Sequence, residues 1–396
     1  MKNILIIGSG FAGAVIAREI VNKYANISVE IWDERSHVAG NCHTEVDKKT
    51  GIVVHKYGPH IFNTNNVNVW NYVNEYSKFN SFTNRVKAVT DKGIFSMPIN
   101  LLTINQFFNK SFNPKQAKLF FDSISAKNNR ASNFEEQALN LIGEDLYNNF
   151  FKGYTIKQWG CHPRELPASI LKRLPIRFNY DDNYYDKIYQ GIPENGYTDL
   201  IKNILNHKRI NISLGKKFKM QDYKNSHNFS HIYFSGPIDQ FFEYKFGMLG
   251  YRTVFFKQIK TDLEDFQGNA VINYNSENVP YTRIHEHKHF NPNLKSKGTV
   301  VFKEFSKETS KKDIPYYPKR LAGDMVLFEK YKREAISLNE NKDKLEPSIS
   351  FIGRLGTYRY LDMEKVISES LNFSKISIKC MDSGNPIPIF VDKEKN

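Results

Sequence analysis

The segment Gly8-Ser9-Gly10-Phe11-Ala12-Gly13 has its glycines at the spacing that lets a backbone close on a pyrophosphate. Gly8 permits a tight turn, Gly10 lets phosphates approach the main chain, and Gly13 allows the following helix to lie close to its strand, with the helix dipole favouring the anion. Glu34 follows about 20 residues on, where a carboxylate accepts both ribose hydroxyls. Two further glycine loops point the same way. The stretch from Arg35 ends in Gly40-Asn41, and Gly353-Arg354-Leu355-Gly356 leads to Leu361-Asp362-Met363 at a helix start whose dipole suits an electron-rich ring oxygen. With the fingerprint at the start of the chain, these favour FAD over NAD. Elsewhere, aromatic residues crowd positions 147–197, among them Trp159, one of three tryptophans. Taken alone, an arginine reads more readily as a surface side chain and each aromatic as core. His285, His287 and His289 alternate and would share one face of a strand, but no cysteine or carboxylate cluster at ligand spacing accompanies them, and no metal is expected.

The elements that must position these groups follow from pattern. A buried parallel strand at 4–7, a helix at 12–24 and a second strand at 29–32 make a βαβ start. Residues 51–64 are β-rich around a Gly58-Pro59 turn, and 67–76 is helical with Asn66 as cap. Positions 100–205 are mostly helical, with candidates at 113–123, 133–151 and 167–174 opened by Asn or Pro. From 210 to 306 short β segments (232–234, 253–259, 271–274, 299–305) suggest an antiparallel sheet, and a strand at 349–352 precedes a helix at 363–371 capped by Asp362. The chain has 396 residues, 40% of them hydrophobic, enough for a large core divided into two or three domains. Its net charge of +14 is spread among acids without a basic block, which argues for an anionic small substrate and against nucleic acid. Three scattered cysteines fit a reducing cytoplasm. No run reaches the roughly 20 apolar residues of a membrane span. The basic, apolar start also passes for a secretory signal, a reading opposed by the glycine spacing and by Arg18-Glu19.

Across essentially its whole length the chain resembles the bacterial UDP-galactopyranose mutases. The motifs are Tyr57-Gly58-Pro59-His60-Ile61-Phe62, Asn84-Arg85-Val86-Lys87-Ala88, Phe151-Lys152-Gly153-Tyr154-Thr155-Ile156-Lys157-Gln158-Trp159-Gly160, Arg173-Leu174-Pro175, Pro280-Tyr281-Thr282-Arg283 and Ile314-Pro315-Tyr316-Tyr317-Pro318, in family order. The resemblance implies interconversion of the pyranose and furanose forms of UDP-linked galactose, without net redox change, through a covalent adduct at N5 of reduced FAD, for cell-surface glycan synthesis. It implies His60 beside the flavin and Arg173 and Arg283 on the diphosphate as catalytic residues. Asn84, Phe151, Tyr154, Thr155, Trp159, Tyr184, Asn273, Tyr317 and Tyr360 are implied to bind substrate. Gly8, Gly10, Phe11, Ala12, Gly13, Glu34, Arg35, Gly40, Asn41, His60, Arg354, Leu361, Asp362 and Met363 are implied to bind the cofactor. Positions 159–173, punctuated by Gly160, Pro163 and Pro167, match the family's mobile lid.

The implied fold is α/β: a Rossmann-like FAD-binding domain (1–80, 206–240 and 346–396), a sheet segment (81–99), an inserted helical domain carrying the lid (100–205) and an antiparallel β-sheet domain (241–345). A homodimer, an external electron donor and no membrane insertion complete the expectation. Asn63 departs from the family: members acting on galactose carry a second histidine there, and an arginine accompanies N-acetylgalactosamine. The competing classes are a flavin oxidoreductase with net electron transfer and a non-enzymatic nucleotide-binding protein. Bleaching of the oxidised flavin by a sugar nucleotide separates the first, and Arg173→Ala the second.

Overall fold

A computed structural model describes residues 3–125, 131–173 and 176–391, apart from the side chains at 169, 172 and 173. Strand Asn3–Ile7 lies at the centre of a five-stranded parallel sheet, flanked by Val29–Asp33 and Phe229–Phe234, with Ile210–Leu214 and Ser348–Phe351 at the edges. Its side chains alternate between two cores, Ile4 and Ile6 towards helix Phe11–Lys23, Leu5 and Ile7 towards an aromatic cluster of Phe234, Phe241 and Phe351. Burial on both faces explains the unbroken apolar run. The segment 232–234, grouped by pattern with an antiparallel sheet, belongs to this parallel one, because a strand buried on both sides carries no alternation to tell the two apart.

The second sheet has seven strands in the order Tyr317–Pro318, Tyr251–Thr261, Thr299–Glu308, Arg283–Glu286, Val271–Tyr274, Val86–Thr90 and Gly93–Met97. Its pairs are antiparallel except Val271–Tyr274 with Val86–Thr90, where chain segments remote in sequence meet in parallel. Helices Leu101–Phe108, Pro114–Ile124 and Phe134–Leu146 begin on Asn100, Asn113 and Asn133, whose side chains each accept a hydrogen bond from the third helical amide. The helix expected over 133–151 breaks at Gly143 (φ 72°) and continues as a π-helical turn, Tyr147–Lys152. Of the helix expected over 167–174, a short 3-10 stretch at Ala168–Arg173 is described.

Three helices near the parallel sheet complete the frame. Tyr197–Leu205, assigned by pattern to the helical stretch 100–205, packs its apolar face against Phe11–Lys23 and Val67–Tyr76 instead. The helix capped by Asp362 runs from Met363 to Ser383 and covers Phe11–Lys23. Ala322–Glu340 has no counterpart in the sequence reading, since Leu321 stands at the cap position and its apolar residues are thinly spread. Among the described residues no helix is long and apolar enough to cross a membrane.

Candidate active site

The fingerprint loop is held by an acid the sequence reading passed over. Asp33 accepts from the amide (2.8 Å) and hydroxyl (2.6 Å) of Ser9 with one oxygen and from the amide of Arg35 with the other. Glu34 is thereby left facing outward, 3.7 Å from Lys217. Helix Phe11–Lys23 opens at Gly10 with no side-chain cap, so its first amides remain available to an anion. A Cβ on Gly13 would stand 2.1 Å from the carbonyl oxygen of Gly8, and one on Gly40 only 3.5 Å from the Cα of Gly10. Gly10 and Gly40 therefore form a side-chain-free floor beside the helix start. Arg35 donates to Asn41 Oδ1 (2.7 Å) and stacks its guanidinium 4.6 Å above Tyr57, while its buried Nη1 has no partner within the chain. A bare backbone floor, uncapped amides and a spare buried guanidinium nitrogen suit the pyrophosphate of a dinucleotide.

Gly353 brings the second glycine loop against this floor: it has φ 69°, and a Cβ there would sit 3.1 Å from that of Ala12. Arg354 donates through Nε to the carbonyl of Leu361 (2.8 Å) and through Nη1 to that of Tyr316 (3.2 Å). Its guanidinium lies 5.3 and 5.4 Å from the rings of Tyr317 and Tyr360, which stack on each other at 5.4 Å. Asp362 caps its helix through the amide of Lys365, ahead of Met363. His60 Nδ1 donates to the Gly58 carbonyl (2.7 Å), which leaves Nε2 an acceptor. Burial pushes its pKa down to about 4 against that hydrogen bond, and Arg354 and Arg283 lower it further, so the ring is neutral. The His60 amide rests on His55 Nδ1 (3.0 Å) and the His55 amide on His287 Nδ1 (3.2 Å), a buried relay of rings behind the cleft.

Strand register assembles the rest. Asn273, Arg283 and Glu304 are direct neighbours on adjacent strands, so their side chains share a row. Glu304, 1% exposed, receives Arg283 bidentately, Nε to Oε1 at 3.0 Å and Nη2 to Oε2 at 2.8 Å, and also Thr282 Oγ1 at 3.0 Å. Burial works against the charge of Arg283, but Glu304 together with Tyr154 and Tyr317 outweighs it and holds the pKa well above the ordinary value. Nη1 is the guanidinium nitrogen left for another anion. Tyr154, Tyr184 and Tyr317 lie within electrostatic reach of Arg283, and burial raises each phenol, Tyr317 to about 12, so all remain hydrogen-bond donors.

Asn84 and Asn273 are buried, each with an unpartnered Oδ1, and the Asn84 carbonyl takes the amide of Tyr184 (2.8 Å). Thr155 is buried on the same helix as Tyr154 and Trp159, while Phe151 packs into apolar surroundings with Met97, Leu171 and Ile176. The side chain of Arg173 lies outside the described residues. Asn63 pairs with Gln190 where the short strands Phe62–Thr64 and Tyr189–Gly191, remote in sequence, run antiparallel, its Nδ2 on the Ile61 carbonyl (3.1 Å). Besides Asp33 and Glu304, the sequence reading missed Asn275, buried two residues past Asn273 with both amide atoms unpartnered. The alternating histidines do not converge: His285 and His287 are buried, and His289 leaves them to meet Asp265 (3.2 Å) and Glu286 (3.4 Å).

Comparison with known proteins places this arrangement among relatives. The family model described as UDP-galactopyranose mutase matches residues 149–360, and that of an NAD(P)-binding Rossmann-like domain matches 6–76. The chain is 49% identical to the dTDP-fucopyranose mutase of Escherichia coli, covering 96% of this chain and 99% of that protein. It is 48% identical to a probable UDP-galactopyranose mutase of Klebsiella pneumoniae, covering 98% of each. The crystal structure of a reduced UDP-galactopyranose mutase shares the fold with a TM-score of 0.70 at 14% identity, covering 96% of both chains.

Proposed function

The chain belongs to the UDP-galactopyranose mutase family of flavin-dependent enzymes, and from that premise we propose that it interconverts the pyranose and furanose forms of a nucleotide-linked galactose, using FAD in its reduced state. The observation that carries this reading is the row Asn273, Arg283 and Glu304, a fixed guanidinium with the phenols of Tyr154, Tyr184 and Tyr317 within its electrostatic reach. When bound against Gly10, Arg35, Gly40 and Gly353, the reduced flavin would supply a nucleophilic nitrogen for the anomeric carbon. The protein's part is electrostatic and geometric. As the bond to the diphosphate breaks, negative charge grows on the leaving oxygen. Arg283 Nη1 and the phenols stabilise it without reorganising, because Glu304 already fixes the guanidinium. Neutral His60 offers an acceptor nitrogen at the cofactor end, and closure of the 159–173 segment excludes water from the reacting sugar. Arg173 joins Arg283 on the diphosphate in this proposal.

A second substrate is favoured by the near-equal identity to the dTDP-fucopyranose mutase. Fucose lacks the C6 hydroxyl of galactose, and thymidine differs from uridine by a methyl group and a missing 2′-hydroxyl. Asn63, neither histidine nor arginine, supports testing the N-acetylgalactosamine form as well. The reading includes a homodimer in the cytoplasm, serving cell-surface glycan synthesis. The experiment is to reduce the flavin-loaded protein chemically and offer UDP-galactofuranose, dTDP-fucofuranose and UDP-N-acetylgalactofuranosamine, separating the products by chromatography. Conversion of at least one to its pyranose supports the proposal. No conversion of any, or bleaching of the oxidised flavin by a sugar nucleotide, refutes it.

A further inference from the structure

Lys157 lies on helix Gly153–Trp159, the helix that carries Tyr154, Thr155 and Trp159. Its ammonium donates to four main-chain carbonyls, those of Tyr274 (2.7 Å), Ser276 (2.7 Å), Val279 (2.9 Å) and Tyr281 (3.0 Å). Three protons serve four acceptors, so at least one bond is shared. The four carbonyls run from the last residue of strand Val271–Tyr274, which holds Asn273, through the turn that leads to strand Arg283–Glu286. The turn is wrapped around a cation tethered to another element. One helical turn earlier Gly153 makes the approach possible, since a Cβ there would lie 2.4 Å from the Asn275 carbonyl oxygen. At the helix's far end Arg252 donates to the carbonyls of Gln158 (2.9 Å) and Lys157 (3.2 Å), and Ser306 Oγ to that of Gln158 (2.8 Å). The helix is thus fixed at two points to the sheet that bears Arg283.

We propose that Lys157 is a positioning residue for the mutase reaction, whose charge sets the spacing between the nucleotide-binding face of Tyr154 and Trp159 and the diphosphate-binding Arg283. This rests on the nucleotide-sugar reading of the cleft. Without the ammonium, four inward carbonyls lose their donor and the turn relaxes, carrying Asn273 and Arg283 away from the helix. Burial lowers the Lys157 pKa to about 8, with Glu277 of the same turn opposing. The phenol of Tyr274 is raised by burial, and Arg252 at the helix end is paired with Glu308 (3.0 Å). A folded-state pKa below the ordinary 10.5 means the positively charged form is lost as pH rises through 8, so nucleotide affinity falls on the alkaline side.

The test is calorimetric titration of UDP into the flavin-loaded protein from pH 6.5 to 9. For wild type the dissociation constant should rise about fourfold to eightfold between pH 7.5 and 9, as expected for one group titrating near 8 whose neutral form binds at least tenfold more weakly. Lys157→Arg keeps a charge that does not titrate there and should flatten the curve. Lys157→Met should bind UDP at least tenfold more weakly at pH 7 while retaining flavin, with KM rising more than kcat falls. A flat wild-type curve, or UDP affinity in Lys157→Met within twofold of wild type, overturns the inference. The same slope in Lys157→Arg assigns the titration to the uracil imide and also overturns it. If neither variant holds flavin, the wild-type curve decides. Wild type binding neither UDP nor dTDP at any pH would instead sink the nucleotide-sugar reading itself.

Discussion

Glu304→Gln tests whether the cleft works through a pre-aimed guanidinium. The substitution keeps the shape and removes one charge of a pair in which Glu304 is 1% and Arg283 26% exposed. Breaking a buried pair from one side costs about 3–5 kcal/mol, and the partial exposure of Arg283 to the cleft argues for the lower end, about 3 kcal/mol. With an unfolding entropy of about 2.1 cal/mol/K per residue over 396 residues, that corresponds to a fall in Tm of about 4 °C. If the same loss is felt where charge develops on the diphosphate, kcat falls about 100-fold, at about 1.36 kcal/mol per tenfold. Glutamine retains one acceptor, so Arg283 stays near the site and KM should change less than kcat. Steady-state kinetics on the reduced enzyme, together with thermal denaturation, reads both quantities. The reasoning is refuted if Glu304→Gln turns over at the wild-type rate while Arg283→Ala is inactive, because Arg283 would then need no fixed counter-charge.

Acidification should unfold the protein steeply between pH 6.5 and 4. His55, His60, His231, His285 and His287 all have pKa values driven down by burial, to about 4 for His60 and about 3 for His231 and His287. The unfolded chain binds these protons near 6.5 and the folded one does not, so each ring contributes up to about 1.4 kcal/mol of lost stability per pH unit. His289, raised by Glu286 ahead of Asp265, acts oppositely, its stabilisation complete below 6.5 and fading above. Equal Tm values at pH 7 and 5 would contradict this account. Gly13→Ala places a methyl 2.1 Å from the Gly8 oxygen and should lower stability by about 1–3 kcal/mol or more and empty the protein of flavin, seen as loss of yellow colour after gel filtration. Arg35→Ala removes the spare buried nitrogen and should weaken flavin retention at least tenfold, measured by flavin release on dilution; unchanged release would take Arg35 out of the cofactor site.

What could be read from the sequence was what local chemistry decides. Asn66, Asn113, Asn133 and Asp362 each cap the helix they announce, because a capping bond spans only two or three residues. The fingerprint was legible for the same reason, its strand, turn and helix being contiguous. Glu304, Lys157 and Asn275 were not, since their meaning arises only when strands far apart in the chain come into register. Asp33 and Glu34 show the limit within a single turn. Both are acids at a strand end, and only the twist of that end decides which locks the loop and which faces outward.

The strand order of the parallel sheet also governs how the chain must be made. On the ribosome, Asn3–Ile7 has one neighbour, Val29–Asp33, until Phe229–Phe234 has emerged, and Ser348–Phe351 closes the sheet later still. Helix Phe11–Lys23 waits for Met363–Ser383 to cover it. The glycine-rich turn after Asn3–Ile7 is thus translated first and enclosed among the last parts of the fold. A nascent chain stalled before residue 348 presents an unfinished apolar sheet to chaperones and proteases.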